Sequence, residues 1–293
     1  MDTAAEPGPG QASRRRMREF DIRPNRELGQ NFLVDDNVLE VIGRAAELDL
    51  ADTVLEVGGG LGVLSEYLAP RVGHLHVVEL DERLRPPLEQ ALGPFPNATL
   101  HMADAVKLDL AALDPTPDKV VANLPYGVAA TVLIRTIRES PQIGMWVAMV
   151  QREVADRLAA PPGSRTYGAT SAIAQLACQV KLLRPVGAGV FLPRPRVGSA
   201  LVLMRRNGPP PGDPVVALIH GAFGHRRKAL GGSLALAAGA PEGLRERARD
   251  ALVAMGLPAD SRAERLSASQ FAELADVLGD ALLAPLVAAG VAR

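Results

Sequence analysis

Thr53-Val54-Leu55-Glu56-Val57 runs straight into Gly58-Gly59-Gly60-Leu61-Gly62, a buried strand ending in a glycine-rich turn. Leu64 and Leu68, with Ser65 and Glu66 between them, then have the spacing of an amphipathic helix. Strand, glycine turn and helix N-terminus make the nucleotide-binding corner of a doubly wound α/β sheet, where glycines let the backbone approach a ligand. A second strand, Leu75-His76-Val77-Val78, ends at Glu79, where a carboxylate can accept the ribose hydroxyls of an adenosine. Turn and acid alone leave a nicotinamide cofactor and S-adenosylmethionine both open. The spacing Gly58-x-Gly60-x-Gly62 departs from the dinucleotide fingerprint, and S-adenosylmethionine has no pyrophosphate to seat on a helix end.

A third strand, Ala98-Thr99-Leu100-His101-Met102, leads to Asp104-Ala105, whose carboxylate would reach the same rim and accept an adenine amine, although taken alone Asp104 reads more readily as a helix cap. A fourth, Lys119-Val120-Val121-Ala122, closes on Asn123-Leu124-Pro125-Tyr126. An Asn side-chain carbonyl and a neighbouring backbone carbonyl can both accept hydrogen bonds from an exocyclic amine. Pro fixes φ so that these acceptors stay aimed, and Tyr can stack on the ring. Gly58, Glu79, Asp104 and Asn123 thus fall at the carboxyl ends of successive strands, where ligands bind in such sheets. Together they favour a methyltransferase acting on a nucleobase amine.

The chain resembles the KsgA-type small-subunit ribosomal RNA adenine dimethyltransferases over nearly its whole length. The resemblance is carried by Leu28-Gly29-Gln30-Asn31-Phe32-Leu33, Glu56 to Gly62, Val78-Glu79-Leu80-Asp81, Asp104-Ala105 and Asn123 to Tyr126. It continues through Gln151 to Leu158, Tyr167-Gly168, Phe191-Leu192-Pro193-Arg194-Pro195-Arg196-Val197 and Phe223 to Leu230. It implies a Rossmann-like S-adenosylmethionine-dependent methyltransferase domain and a small C-terminal helical domain. The implied reaction is dimethylation of the N6 amines of two adjacent adenines in a 3′-terminal hairpin loop, during ribosome assembly. Asn31, Leu33, Gly58, Glu79, Asp104 and Asn123 would then line the cofactor site, and Tyr126 and Phe191 would sandwich the target adenine. Arg194, Arg196, Arg226, Arg227 and Lys228 would meet RNA. Where Gly59, Gly127, Ala129 and Gly232 stand, the family usually carries Pro, Asn, Ser and Asn; these departures put efficiency in question rather than reaction type.

The 293 residues, 47% hydrophobic, suffice for one substantial core and a smaller second domain. The longest apolar stretches are too short for a membrane span, and a cytoplasmic, monomeric protein is expected. Cys178, the sole cysteine, reads as a buried structural thiol, and His74 and His76 share a strand face without a third ligand spaced nearby, so no metal is expected. The net charge of −1 conceals an asymmetry: Arg157 to Lys228 carries +10 and the remainder −11, which suits a phosphate-binding surface beside an acidic body. Residues 1–27, including Arg14-Arg15-Arg16-Met17-Arg18, read as a flexible basic tail. Residues 28–206 form the catalytic domain, with a helix over Val34 to Leu48. The Pro-rich 207–214 is a linker, and 215–293 a helical RNA-recognition domain with a capping box at Ser267-x-x-Gln270. Three other readings remain: a large-subunit rRNA adenine methyltransferase of the antibiotic-resistance type, a nicotinamide dehydrogenase, and a ribosome-assembly binding factor with little catalysis.

Overall fold

The computed structural model describes residues 9–25 and 27–291, which divide into two compact units. The first runs up to Ala155 and takes in Val180–Arg206; the second joins Asp156–Gln179 to the chain from Asn207 onward.

The first unit is built on a sheet whose strands alternate with helices. In chain order the elements are α1 (Pro9–Glu19), β1 (Phe32–Leu33), α2 (Asp36–Ala46), β2 (Thr53–Val57), α3 (Val63–Leu68), β3 (His74–Glu79), α4 (Arg85–Leu92), β4 (Ala98–Met102), β5 (Lys119–Asn123), α5 (Ala129–Glu139), β6 (Met145–Gln151) and α6 (Arg152–Leu158). After α7 (Ala169–Ala177) come β7 (Cys178–Val186), β8 (Phe191–Leu192) and β9 (Ser199–Arg206). The seven-stranded sheet has the order β4-β3-β2-β5-β6-β9-β7. β2 to β6 pair in parallel, with Val57 beside Val78 and Asn123 beside Met149, whereas β9 runs antiparallel to β6 with Leu203 beside Val147. Val54, Val121 and Val147 are buried because the central strands are covered on both faces, which is why they read as continuous apolar runs. The register brings the ends of β2, β3 and β5 to one rim, as the sequence reading expected of a doubly wound sheet.

α2 lies within the expected helix and is capped by the Asp35 carboxylate, which accepts from the Val38 N–H (3.2 Å). The N-terminal expectation needs correction. The part before Pro9 lies outside the described residues, but the basic run is helical in α1, with Ala12, Ser13 and Arg16 buried. Arg14, Arg15 and Arg18 face solvent, so one inward arginine in four was hidden inside what reads as a uniformly charged run. The histidine row is also longer than its spacing suggested. His101 of β4 puts Nε2 3.0 Å from His76 Nδ1, and His76 Nε2 meets the Pro115 carbonyl at 2.8 Å. Among the described residues no group of three or more ligating side chains is arranged to hold a metal ion.

The second unit is helical: α7, α8 (Asp213–Phe223), α9 (Leu230–Leu234), α10 (Leu244–Ala254), α11 (Ala268–Leu278) and α12 (Asp280–Val291). Its core includes the aromatic row Tyr167, Phe223 and Phe271, with centroids 6.0 and 5.8 Å apart. Ser267 and Gln270 form the expected reciprocal cap, and Phe271, Leu274 and Leu278 are buried behind it. α8 begins at Asp213, inside the expected linker 207–214, with Gly212 as its N-cap. The sequence boundary left Asp156–Gln179 in the catalytic domain, yet it belongs to the helical unit, an exchange that no Pro- or Gly-rich break announces. No described helix is long and apolar enough to cross a membrane.

Candidate active site

A cavity opens at the rim, lined by the Asn31–Leu33 segment, the glycine turn, Glu79, Asp104 and Asn123 to Tyr126. The turn is fixed by close approach. Gly58 has φ +82, and a Cβ there would stand 3.0 Å from Pro125 Cδ, so the glycine lets the turn touch the Asn-Leu-Pro-Tyr segment directly. Gly59, one of the departures, does not leave the turn loose: a Cβ would meet Val77 Cγ1 at 2.4 Å and Leu88 Cδ2 at 3.0 Å, so neighbouring side chains fill the space.

Glu79 organises the rim. Its Oε2 accepts from the Gly60 N–H (2.9 Å) and its Oε1 from the Leu80 and Asp81 N–H groups (2.8 and 2.9 Å). A carboxylate offers about four lone-pair directions, so after these three bonds roughly one remains for a ribose hydroxyl rather than two. Burial raises its pKa above the ordinary carboxylate value, against the lowering effect of those N–H groups. Asp81 is held down to about 2 by the Arg83 guanidinium, and also accepts from Gln30 Nε2 at 2.8 Å, tying the Asn31 segment to the end of β3. Asp104 lines the cavity, and its Oδ1 accepts from the Val106 N–H (2.9 Å) as a local cap.

Asn123 shows the most telling orientation. Its Nδ2 donates to the Asn31 carbonyl (3.2 Å), which leaves Oδ1 as the acceptor that the side chain presents. The Pro125 carbonyl already accepts from the Val128 N–H (3.2 Å), favouring Leu124 as the backbone acceptor. Tyr126 is half-buried and lines the cavity, its hydroxyl hydrogen-bonded to Ser199 Oγ at 2.6 Å. Burial raises its pKa, so the ring carries no charge. Phe191 departs from the expected sandwich of the target adenine. It lies in β8, paired with Leu33 of β1, is 2% exposed within the core, and does not line the cavity. Leu33 lines the wall that Phe191 was expected to share.

A cavity at a glycine turn, lined by Glu79, Asp104 and Asn123 with Tyr126 beside it, fits an adenosine-type methyl donor and a base amine. The family model for ribosomal RNA adenine dimethylase matches residues 22–278. The chain belongs to the ribosomal RNA adenine dimethylase family. Similar proteins include a ribosomal RNA small subunit methyltransferase A from Rubrobacter xylanophilus, 42% identical over 254 residues, covering 86% of this chain and 94% of that protein. Another of the same name, from Thermobifida fusca, is 39% identical and covers 90% of this chain and 93% of its own. Among solved structures, a dimethyladenosine transferase from Plasmodium falciparum superposes with a TM-score of 0.70 at 23% identity, covering 83% of this chain and 95% of that one, and supports the fold. The 23S rRNA methyltransferase ErmE matches with a TM-score of 0.64 at 25% identity, covering 85% of this chain and 99% of its own. This adenine dimethylase is therefore an S-adenosylmethionine-dependent enzyme that modifies ribosomal RNA.

The dimethylase's basic residues divide by environment. In the first unit Arg194 and Arg196 are exposed beside Val197, while Arg205 pairs with Glu47 and Arg206 donates to the Ile137, Ser140 and Ile143 carbonyls. In the second unit Arg227 and Lys228 are exposed, but Arg226 is engaged with Glu264 (2.9 Å) and the Arg165 carbonyl (2.6 Å). Part of the +10 segment is thus internal scaffolding. Gly127 leaves open space where a larger side chain would fit. Three residues of the site had no assigned role from sequence: Ser13, Glu56 and Ser199. Glu56 carried a signal, an acid inside the apolar run of β2; Ser13 and Ser199 gave none, because their partners Leu33 and Tyr126 are distant in sequence. Glu56 is fully buried, lines the cavity, and its Oε2 has no hydrogen-bond partner among the described residues; burial, helped by the Glu79 charge, pushes its pKa up to about 8.

Proposed function

We propose that this dimethylase converts two adjacent adenines in the 3′-terminal hairpin loop of small-subunit ribosomal RNA to N6,N6-dimethyladenine, acting as a monomer on an immature small subunit in the cytoplasm. The reading rests above all on Asn123, whose amide nitrogen is tied to Asn31 and whose oxygen is thereby left to accept from a base amine. The names of the Rubrobacter xylanophilus and Thermobifida fusca relatives favour the small subunit.

The adenine N6 is a poor nucleophile because its lone pair is delocalised into the ring. Asn123 Oδ1 and the Leu124 carbonyl accept its hydrogens and hold them out of the ring plane, which localises the lone pair on nitrogen and aims it at the methyl carbon, so the residues contribute orientation and electrostatics. Bound S-adenosylmethionine supplies an electrophilic methyl group on its sulfonium. Asn31, Leu33, Gly58, Glu79 and Asp104 hold that donor at the rim. No strong base is required, because the alkylated amine is acidic and loses its proton to water. After one transfer a single N–H remains, so one of the two acceptor contacts is given up before the second. Tyr126 stacks on the flipped base, a contact worth about 1–3 kcal/mol that offsets unstacking. Phe191 adds a second face only in a conformation that lifts it out of its packing against Leu33. Arg194, Arg196, Arg227 and Lys228 contact phosphates, with Arg226 bracing its own loop, in keeping with residues 215–293 as the RNA-recognition region.

The match to ErmE supports a second reading, methylation of large-subunit RNA. Incubation with labelled S-adenosylmethionine and, in parallel, immature small subunits and large-subunit RNA separates the two. Label in dimethyladenosine near the 3′ end of small-subunit RNA is expected; label confined to large-subunit RNA would overturn the proposal. Binding to small subunits without label would leave an assembly factor.

A further inference from the structure

The basic run of α1 contains one arginine that behaves unlike its neighbours. Arg16 is 1% exposed. A buried guanidinium is costly unless its charge and N–H groups are matched; here the charge and both terminal nitrogens are, while Nε has no partner among the described residues. Nη1 donates to the Leu61 carbonyl at 2.7 Å, and Nη2 pairs with the Glu66 carboxylate. Leu61 closes the glycine turn, and Glu66 lies in the first turn of α3. The Gly60 N–H, one residue earlier, is held from the other side by Glu79 Oε2. Two consecutive residues of the turn are therefore bound, one through its N–H and one through its carbonyl, by charged side chains from different parts of the chain.

The same helix reaches the opposite wall. Ser13, also buried, donates to the Leu33 carbonyl at 2.7 Å and lines the cavity. With Ala12 in the core, α1 is joined to both the glycine turn and the Asn31–Leu33 segment. A helix that only covered apolar surface would need neither bond.

We infer that Arg16 is a positioning residue for the methyl donor: it clamps the Leu61 carbonyl and Glu66, and so holds the glycine turn in the shape that receives S-adenosylmethionine. The inference rests on this cavity being the cofactor site. Its consequence is that α1, rather than belonging to a flexible basic tail, completes the cofactor side of the reaction. Bidentate geometry matters here, because the fork reaches two acceptors at once; a lysine could serve one of them.

The test uses the full chain and S-adenosylmethionine binding by calorimetry, with thermal melting of the same samples. Arg16→Met keeps much of the packing and removes the charge. Expected are a loss of cofactor affinity of tenfold or more in folded protein, partial recovery in Arg16→Lys, and a KM for small-subunit RNA unchanged at saturating cofactor. A purely structural anchor would lower the melting temperature and leave affinity in the folded protein within twofold of the parent, which would overturn the proposal. If Arg16→Met does not fold, Glu66→Gln, which disturbs the clamp without altering α1, is read by the same two criteria. A parent chain that binds no S-adenosylmethionine would instead overturn the cofactor reading on which the proposal stands.

Discussion

Glu56→Gln replaces a buried acid by its neutral isostere and should flatten the pH dependence of stability. Glu56 lies under the glycine turn with one oxygen unpartnered, and its pKa is raised to about 8. In the unfolded chain it titrates near 4.5, so folding takes up a proton between these values. The stabilisation tied to that proton is complete below about pH 4.5 and disappears as pH rises through about 8. Each pH unit well inside the window corresponds to somewhat more than about 1 kcal/mol, so from pH 5.5 to 7.5 the parent should lose on the order of 2–3 kcal/mol more than Glu56→Gln. Asp118, also raised, and His74 and His101, both lowered, titrate in both proteins and cancel in the difference, whereas Glu79, whose charge acts on Glu56, is part of what the difference reads. Urea denaturation of the two proteins at pH 5.5, 6.5 and 7.5, without cofactor, reads the slope directly. Parallel dependences would mean that Glu56 is ionised when folded, and would refute the reasoning.

Glu79→Gln keeps the side-chain volume but sets an amide NH2 against backbone N–H groups that the carboxylate accepts from, and S-adenosylmethionine affinity by calorimetry should fall on the order of tenfold; unchanged affinity would remove Glu79 from the site. Tyr126→Ala should lower turnover on the order of 10- to 100-fold while RNA affinity changes little, as measured by single-turnover kinetics and filter binding, because the variant cannot stack on the base but keeps its hold on the phosphates. Replacing Arg227 and Lys228 together by Ala should weaken small-subunit binding and reduce the slope of log affinity against log salt by up to about 0.7–0.9 for each phosphate no longer neutralised, leaving cofactor affinity unaltered; equal slopes would assign both residues to a solvated loop.

Much of the first unit was legible because its signals are local. The strand Thr53–Val57, its glycine turn, Glu79 at the end of β3 and Asn123 at the end of β5 each declare themselves within a few residues, and the parallel register does the rest. What was not legible depends on partners far along the chain. The inward turn of Arg16 depends on Leu61 and Glu66, and nothing in Arg14 to Arg18 distinguishes it from its neighbours. Phe191 sits between prolines and arginines, the composition of an exposed loop, yet pairing with Leu33 draws it into the core. The exchange of Asp156–Gln179 into the helical unit is set by packing between distant segments, so a cut after residue 206 would not separate the two units. The space around Gly59 is likewise filled by atoms distant in sequence, from Val77 and Leu88.

The central claim is that the Asn123 amide oxygen, freed by the bond of its Nδ2 to Asn31, holds the adenine amine for methyl transfer. The most direct measurement is mass spectrometry of nucleosides from small-subunit RNA treated with S-adenosylmethionine and either the parent or Asn123→Ala, with cofactor and RNA affinities measured on the same preparations. The account expects N6,N6-dimethyladenosine from the parent and a fall on the order of a hundredfold or more in its rate of formation with Asn123→Ala, at little-changed RNA affinity. Dimethyladenosine formed by Asn123→Ala at the parent rate would contradict it.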